Sequence, residues 1–319
     1  MKFDKRMGNL AVWLVLLTMP FWLGWIGSYP QLGTRVIILG LAALSLNFLL
    51  GHTGVLSFGH AAYFGLGVYG TGLTIRYLTP NTLAGLAVGM GAGIVSAAII
   101  GALIVRLRGI YFSMVTIAFG QVFYFIAFRW NKVTGGDDGL SGWARLPVGP
   151  LDIATNEKAM FYFALFFFAV AVGVMAFVLK SPFGRTLIAI RENERRARFL
   201  GIPVDLHIWI SWIISCTFVS LAGGLYALLN NFADPHDLRW DQSGTFVIMT
   251  VLGGMRSFWG PLVGAAIFVV LQDYLSTLTQ NWQAFIGVFF VLVVLFFPRG
   301  VLGMLHRNSP SPGDGKTAK

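Results

Sequence analysis

The sequence predicts an all-α, polytopic membrane protein with about ten transmembrane helices, some broken or re-entrant, and both termini inside. Three observations carry this. Apolar residues make up 56% of the 319-residue chain, charged residues only 11%, and the mean hydropathy is +0.73. Glycine occurs 39 times, too often for an ordinary soluble helical protein but suited to membrane helices that pack through small residues. Basic clusters alternate with acidic or balanced loops, as orientation in a membrane requires.

A membrane helix needs about 20 apolar residues. Such runs fall at about 10–27, 35–51, 57–75, 83–105, 110–129, 159–180, 208–230, 244–255, 260–278 and 283–298. The third and eighth are short or glycine-rich and are the candidates for broken or re-entrant segments, which are tolerated only where buried or lining a cavity. Eight spans plus two re-entrant pieces is the alternative count. The first run has a basic start but no small-x-small cleavage site after it, so it reads as a retained helix. Lys2, Lys5 and Arg6 place the N-terminus inside. Alternation then puts Arg106, Arg108, the 180–207 loop, Arg256 and Arg299 inside as well. The 130–158 and 231–243 loops, with Asp137, Asp138, Asp152, Glu157, Asp234, Asp237 and Asp241, fall outside. The membrane domain covers 1–305, and the polar stretch 306–319 reads as a disordered tail.

The net charge of +10 does not indicate nucleic acid, because no basic tract stands on a soluble domain. The single cysteine, Cys216, excludes an internal disulfide. No G-x-x-x-x-G-K-[ST] loop occurs, so any ATP-driven role needs a separate ATPase.

The densest charge lies in Lys180–Asp205, KSPFGRTLIAIRENERRARFLGIPVD. Ser181 suits a helix N-cap, Pro182 its first position, and Gly201 with Pro203 a stop. A short charged helix on the inner face points to docking on a soluble partner. A basic loop resting on anionic lipid is the alternative. Leu187, Ile190 and Ala197 would form an apolar seam interrupted by Glu194. Arg191, Glu192, Arg195 and Arg198 would face the partner or its solvated rim.

Residues 51–70, GHTGVLSFGHAAYFGLGVYG, bring His52, Thr53, Ser57 and His60 into the membrane. Intramembrane polar groups commonly mark a route, and tight packing of small residues is the alternative for the glycines. A Ser57/His60 nucleophile–base pair lacks an oxyanion donor and an orienting acid. A metal site from His52 and His60 lacks a third ligand. In RLRGIYFSMVTIAFGQ (106–121), Ser113, Thr116, Gly120 and Gln121 recur on one helical face, lining a pore or bonding between helices. TGGDDGL (134–140) is turn chemistry without calcium spacing. Asp273, beside Gln272, is the one acid well inside a span.

These segments, with LAGGLYALLNNFADP, VLGGMRSFWGPLVGAAI and FPRGVLG, resemble the branched-chain amino acid (LIV-type) ABC transporter permeases, LivM-like subunit, over about residues 35–303. The resemblance implies an importer of branched-chain or related amino acids in the bacterial cell inner membrane. Relatives that take urea, short amides or aromatic acids are the alternative substrates. An ATP-independent channel or secondary transporter and an intramembrane enzyme are the competing classes. It also implies a homologous LivH-like permease partner, two cytoplasmic ATP-binding subunits and a periplasmic binding protein, with no cofactor, metal or catalytic residue in this chain. The 181–203 loop matches the family's coupling element, which assigns Arg191, Glu192, Glu194, Arg195 and Gly201 to ATPase coupling. Arg195 and Arg196 depart from the small residues frequent in relatives. His52, Ser57, His60, Ser113, Thr116, Gln121 and Asp273 are the pathway candidates.

Overall fold

The computed structural model describes residues 5–22, 29–255, 257–296 and 300–302. Arg256, Arg299 and the 306–319 tail, all used in the sequence reading, lie outside the described residues. The regular elements among the described residues are helices: α1 (Lys5–Trp22), α2 (Pro30–Thr53), α3 (His60–Leu73), α4 (Thr82–Ile104), α5 (Ile110–Arg129), α6 (Asn131–Thr134), α7 (Glu157–Lys180), α8 (Pro182–Glu192), α9 (Glu194–Phe199), α10 (Val204–Asn230), α11 (Trp240–Gly253), α12 (Gly260–Leu278) and α13 (Trp282–Phe296). Six of them, α2, α4, α5, α7, α10 and α12, are long and apolar enough to cross a membrane. Shorter apolar helices cover Gly8–Trp22 and Trp282–Phe296. The chain is therefore a multi-pass membrane protein.

The two doubtful runs are the short ones. α3 and α11 have 14 residues each. At about 1.5 Å per residue that is roughly 21 Å, below the ~30 Å of a hydrocarbon core. α3 continues through a π-helical turn, Thr74–Leu78, which extends its reach. Its start is delayed because α2 ends at Thr53 with Gly54 in the left-handed region (φ 76°), and residues 54–59 are non-helical. Local chemistry sets the other ends. Pro30 opens α2. Asn81 caps α4 by accepting from the Leu83 and Ala84 amides, and Asn156 caps α7 in the same way through Lys158 and Ala159.

Burial ranks the helices. The most apolar stretch of α2 is 89% buried and that of α10 is 67% buried, against 28–39% for α4, α5, α7 and α12. α2 is thus the axis of the bundle, and the others show one face to their surroundings. α3, α4 and α10 pack on one another, with α10 also against α2, while α11 and α12 pack together and against α2. The contact of α3 with α10 uses glycine: a Cβ on Gly67 would lie 1.9 Å from the Ser220 carbonyl, and one on Gly223 would lie 1.9 Å from that of Phe64. The backbones touch, which is how helices associate where burial of apolar surface from water supplies no drive.

Candidate functional site

The Lys180–Asp205 loop is built as the sequence suggests at its two ends and differently in its middle. Ser181 accepts a bond from the Gly184 amide and Pro182 occupies the first helical position. At the far end, Gly201 has φ +80°. Its amide donates to Arg198 O at 3.0 Å, and the Ile202 amide donates to Ala197 O at 3.2 Å. These are the two bonds of a Schellman stop, which favours glycine at the left-handed position. In between, the expected single helix is two. Asn193 leaves the helical region (φ −157°, ψ 95°) and its side chain accepts from the Arg196 amide at 2.9 Å, so it ends α8 and caps α9. An Asn before an acidic first turn is a good cap, and this one outcompetes helix continuation.

The apolar seam is present. Leu187, Ile190 and Ala197 are buried. Ile190 and Ala197 cluster with Val105, Val204 and Ile208, joining the loop to the ends of α4 and α10. Glu194 does not merely interrupt this seam. It is bound at 2.7 Å by Arg108 Nε and at 3.0 Å by Arg198 Nη2. Arg198 also reaches Asp205 at 2.6 Å, and Arg108 contacts Asp205 too. Four charges from three segments thus close a ring. Glu194 and Asp205 together hold Arg198, whose guanidinium is kept protonated still more firmly than usual by those two carboxylates. Arg191 donates to the Gly51 carbonyl at the end of α2. Of the five coupling candidates, Arg191 and Glu194 therefore hold the loop to the rest of its own chain, and Gly201 ends α9. Glu192 and Arg195 project outward. Beside them stand Phe199, 91% exposed, and Leu200, 74% exposed. These two were not singled out from the sequence, although large apolar residues directly before a glycine stop signal a tip that the helix cannot bury.

The pathway candidates divide. Ser57, His60, Ser113 and Thr116 are buried. Both ring nitrogens of His60 are engaged, Nδ1 with Ser57 Oγ at 3.0 Å and Nε2 with Ser215 Oγ at 2.8 Å. Ser113 donates to Leu56 O at 2.8 Å. Thr116 donates to Ser113 O at 2.7 Å and accepts from the Phe58 amide at 3.3 Å. These groups tie the non-helical 54–59 segment to α5 and α10. His52 is half-buried with Nδ1 3.3 Å from Asn47 O. Gln121 keeps a buried Nε2 with no partner among the described residues. Asp273 accepts from the Tyr29 hydroxyl at 2.5 Å, at the end of α12 beside the start of α2. Among the described residues no group of three or more His, Cys, Asp or Glu side chains is placed to hold a metal.

The family model described as "Branched-chain amino acid transport system / permease component" matches residues 30–297. The chain is 25% identical to the high-affinity branched-chain amino acid transport system permease protein LivM of Salmonella typhimurium, over 94% of this chain and 75% of that one. It is 28% identical to the LivH permease of the same organism over 47% of this chain and 48% of that one. To the autoinducer 2 import system permease LsrC of Photorhabdus laumondii it is 28% identical, over 42% and 43%. No solved structure matches. With nearly the whole helical core inside the family match, the chain belongs to the branched-chain amino acid transport system permease family and is LivM-like within it.

Proposed function

We propose that this chain is one of two permease subunits of an ATP-driven importer for branched-chain or closely related amino acids in a bacterial inner membrane. Its partners would be a LivH-like permease, two cytoplasmic ATP-binding subunits and a periplasmic binding protein. One observation carries the reading most directly. The inner loop is anchored to α2, α4 and α10 on one side and presents Glu192, Arg195, Phe199 and Leu200 on the other. Such a part transmits force between a soluble subunit and the membrane bundle. ATP binding would draw the ATPases together, the loop would follow as a rigid piece, and the bundle would rock to release a solute delivered from outside. Selectivity would rest mainly with the binding protein.

The topology belongs to this proposal. Ten passes would need α1, α3, α11 and α13 to cross alongside the six long helices, with the 130–158 and 231–243 loops outside. A cysteine at Asp137, in a Cys216→Ser background, should react with an impermeant thiol reagent from the outer face, whereas one at Arg195 should react only after the inner face is opened. The transport reading is tested by reconstituting the chain with the permease, ATPases and binding protein encoded beside it. ATP-dependent uptake of L-leucine is expected. Uptake that continues without ATP would replace the importer with a channel or secondary transporter.

A further inference from the structure

α3 and α5 leave their apolar runs close to one another. α3 passes into the π-helical turn Thr74–Leu78, and α5 ends at Arg129, just before the short helix α6. Between the turn and α6 lies a cavity of about 310 Å³, lined by Leu73, Tyr77, Leu78, Lys132 and Val133. Its floor is aliphatic and aromatic, and Lys132 supplies the charge. The cavity is open at the surface rather than sealed in the core. Leu78 is 72% exposed, and Tyr77 and Lys132 are exposed as well. Trp130, also exposed, stands directly before α6.

The charge at this place has one sign. Lys132 has no ion-pair partner among the described residues, and none of the lining residues is acidic. Arg76, on the π-helical turn, lies with its Cζ 5.0 Å from the centre of the Tyr77 ring and donates to Ser141 O at 2.6 Å. A carbonyl fixes that guanidinium at the rim without neutralising it. A second cavity, also about 310 Å³ and lined by Phe128, Arg129, Asn131, Gly135, Asp137 and Asp138, mixes both signs and lacks this one-sided character. Position matters as much as charge. Exposed Trp and Tyr beside the ends of apolar helices mark a membrane–water boundary. A small free anion there would match Lys132 and leave the apolar floor bare. A neutral hydrocarbon would cover the floor and leave Lys132 unmatched. An amphiphile with an anionic head and an apolar tail does both.

We propose that this groove binds an anionic phospholipid of the surrounding membrane. The lipid phosphate meets the Lys132 ammonium in a charge-assisted hydrogen bond, and Arg76 adds a second positive charge at the rim. The first part of an acyl chain lies over Leu73, Leu78 and Val133, which removes exposed apolar surface from water. The bound lipid fills the space between the π-helical turn and α6 and so ties the end of α3 to the segment that follows α5. The inference goes beyond the proposed function. It needs only a multi-pass membrane protein and does not depend on which solute is carried.

The test uses the full-length chain, purified in detergent and stripped of lipid. Its thermal midpoint is followed as phosphatidylglycerol, phosphatidylethanolamine or inorganic phosphate is added. A ligand that binds the folded state raises the midpoint in a concentration-dependent way. Phosphatidylglycerol should give a saturable rise, phosphatidylethanolamine a weaker one and inorganic phosphate none. In Lys132→Glu the phosphatidylglycerol concentration for half of the effect should increase about ten-fold or more, as expected for losing a hydrogen bond to a charged group. Lys132→Arg should stay within about two-fold of wild type. Leu78→Gln leaves the charge in place and should weaken the effect through the apolar floor. Both positions are exposed, so the variants should fold. Other basic groups, such as Arg106 and Arg195, also attract anionic lipid, so native mass spectrometry adds a count: Lys132→Glu should retain one phosphatidylglycerol fewer than wild type. An unchanged half-effect concentration in Lys132→Glu or in Leu78→Gln, an unchanged lipid count in Lys132→Glu, or an equal response of wild type to phosphatidylethanolamine would each overturn the site. An equal response to inorganic phosphate would overturn it too, in favour of a free anion.

Discussion

The Lys180–Asp205 loop and the segment 230–241 treat charge in opposite ways. At the first, Arg108, Glu194, Arg198 and Asp205 neutralise one another within a single ring. In the other segment, Asp237 has no ion-pair partner among the described residues, and burial, with Asp234 alongside, pushes its carboxyl up to about 7. The first arrangement ties three chain segments to one another. The second leaves a partly buried carboxyl unmatched among the described residues, which makes the stability of that segment depend on pH.

The contrast can be broken most severely at Arg108. Arg108→Glu would place a third carboxylate beside Glu194 and Asp205 with only Arg198 to oppose them. The ring should open, α9 should detach from the end of α4, and co-purification of the ATPases and stimulated hydrolysis should fall together, by about ten-fold. The direct stability loss should be modest, about 1 kcal/mol per pair, because the side chains are 29–48% exposed. Arg108→Lys should recover part of the coupling. Normal hydrolysis in Arg108→Glu would show that the loop does not act through this ring.

A smaller effect is expected at Gly201. A Cβ there would meet nothing within 4 Å, so the cost is purely conformational, from the φ of +80°. Gly201→Val should cost about 1 kcal/mol or more, and Gly201→Asn less, since Asn tolerates the left-handed region. Stimulated hydrolysis should rank wild type above Asn above Val. Equal values would mean that the stop tolerates other geometries.

The smallest and most specific effect concerns pH. The Asp237 carboxyl is raised to about 7, above the unfolded value of about 3.9. The folded state therefore holds this proton more tightly. The associated stability is fully present below about pH 4 and is lost as pH rises through about 7. Thermal midpoints of wild type and Asp237→Asn should be close at pH 4.5, with the variant ahead at pH 8. Parallel curves across this range would remove Asp237 from the account.

Much of this was readable in the residues. Apolar runs, glycine content and the polar breaks at 51–60 announce a helical membrane bundle. Ser181-Pro182 and Gly201-Ile202-Pro203 mark the ends of the charged loop because capping is local chemistry. The split at Asn193 was less legible, since Asn is tolerated inside helices and only the competition with its own capping bond ends one. Glu194 and His60 were visible as polar residues in significant places, but their partners Arg108 and Ser215 lie 86 and 155 residues away.

The sequence by itself determined the class, the run of apolar helices and the capped ends of the basic 181–203 loop, because hydropathy, charge and turn chemistry act over a few neighbouring residues. Only the tertiary structure decided which polar groups are satisfied and which are not. His60, a candidate for the route, is bonded at both nitrogens. Asp237, unlike Asp234 and Asp241 in its segment, has no ion-pair partner among the described residues. The reason is physical: a polar group's role depends on whether a complementary atom lies within about 3 Å, and packing, not spacing along the chain, sets that distance.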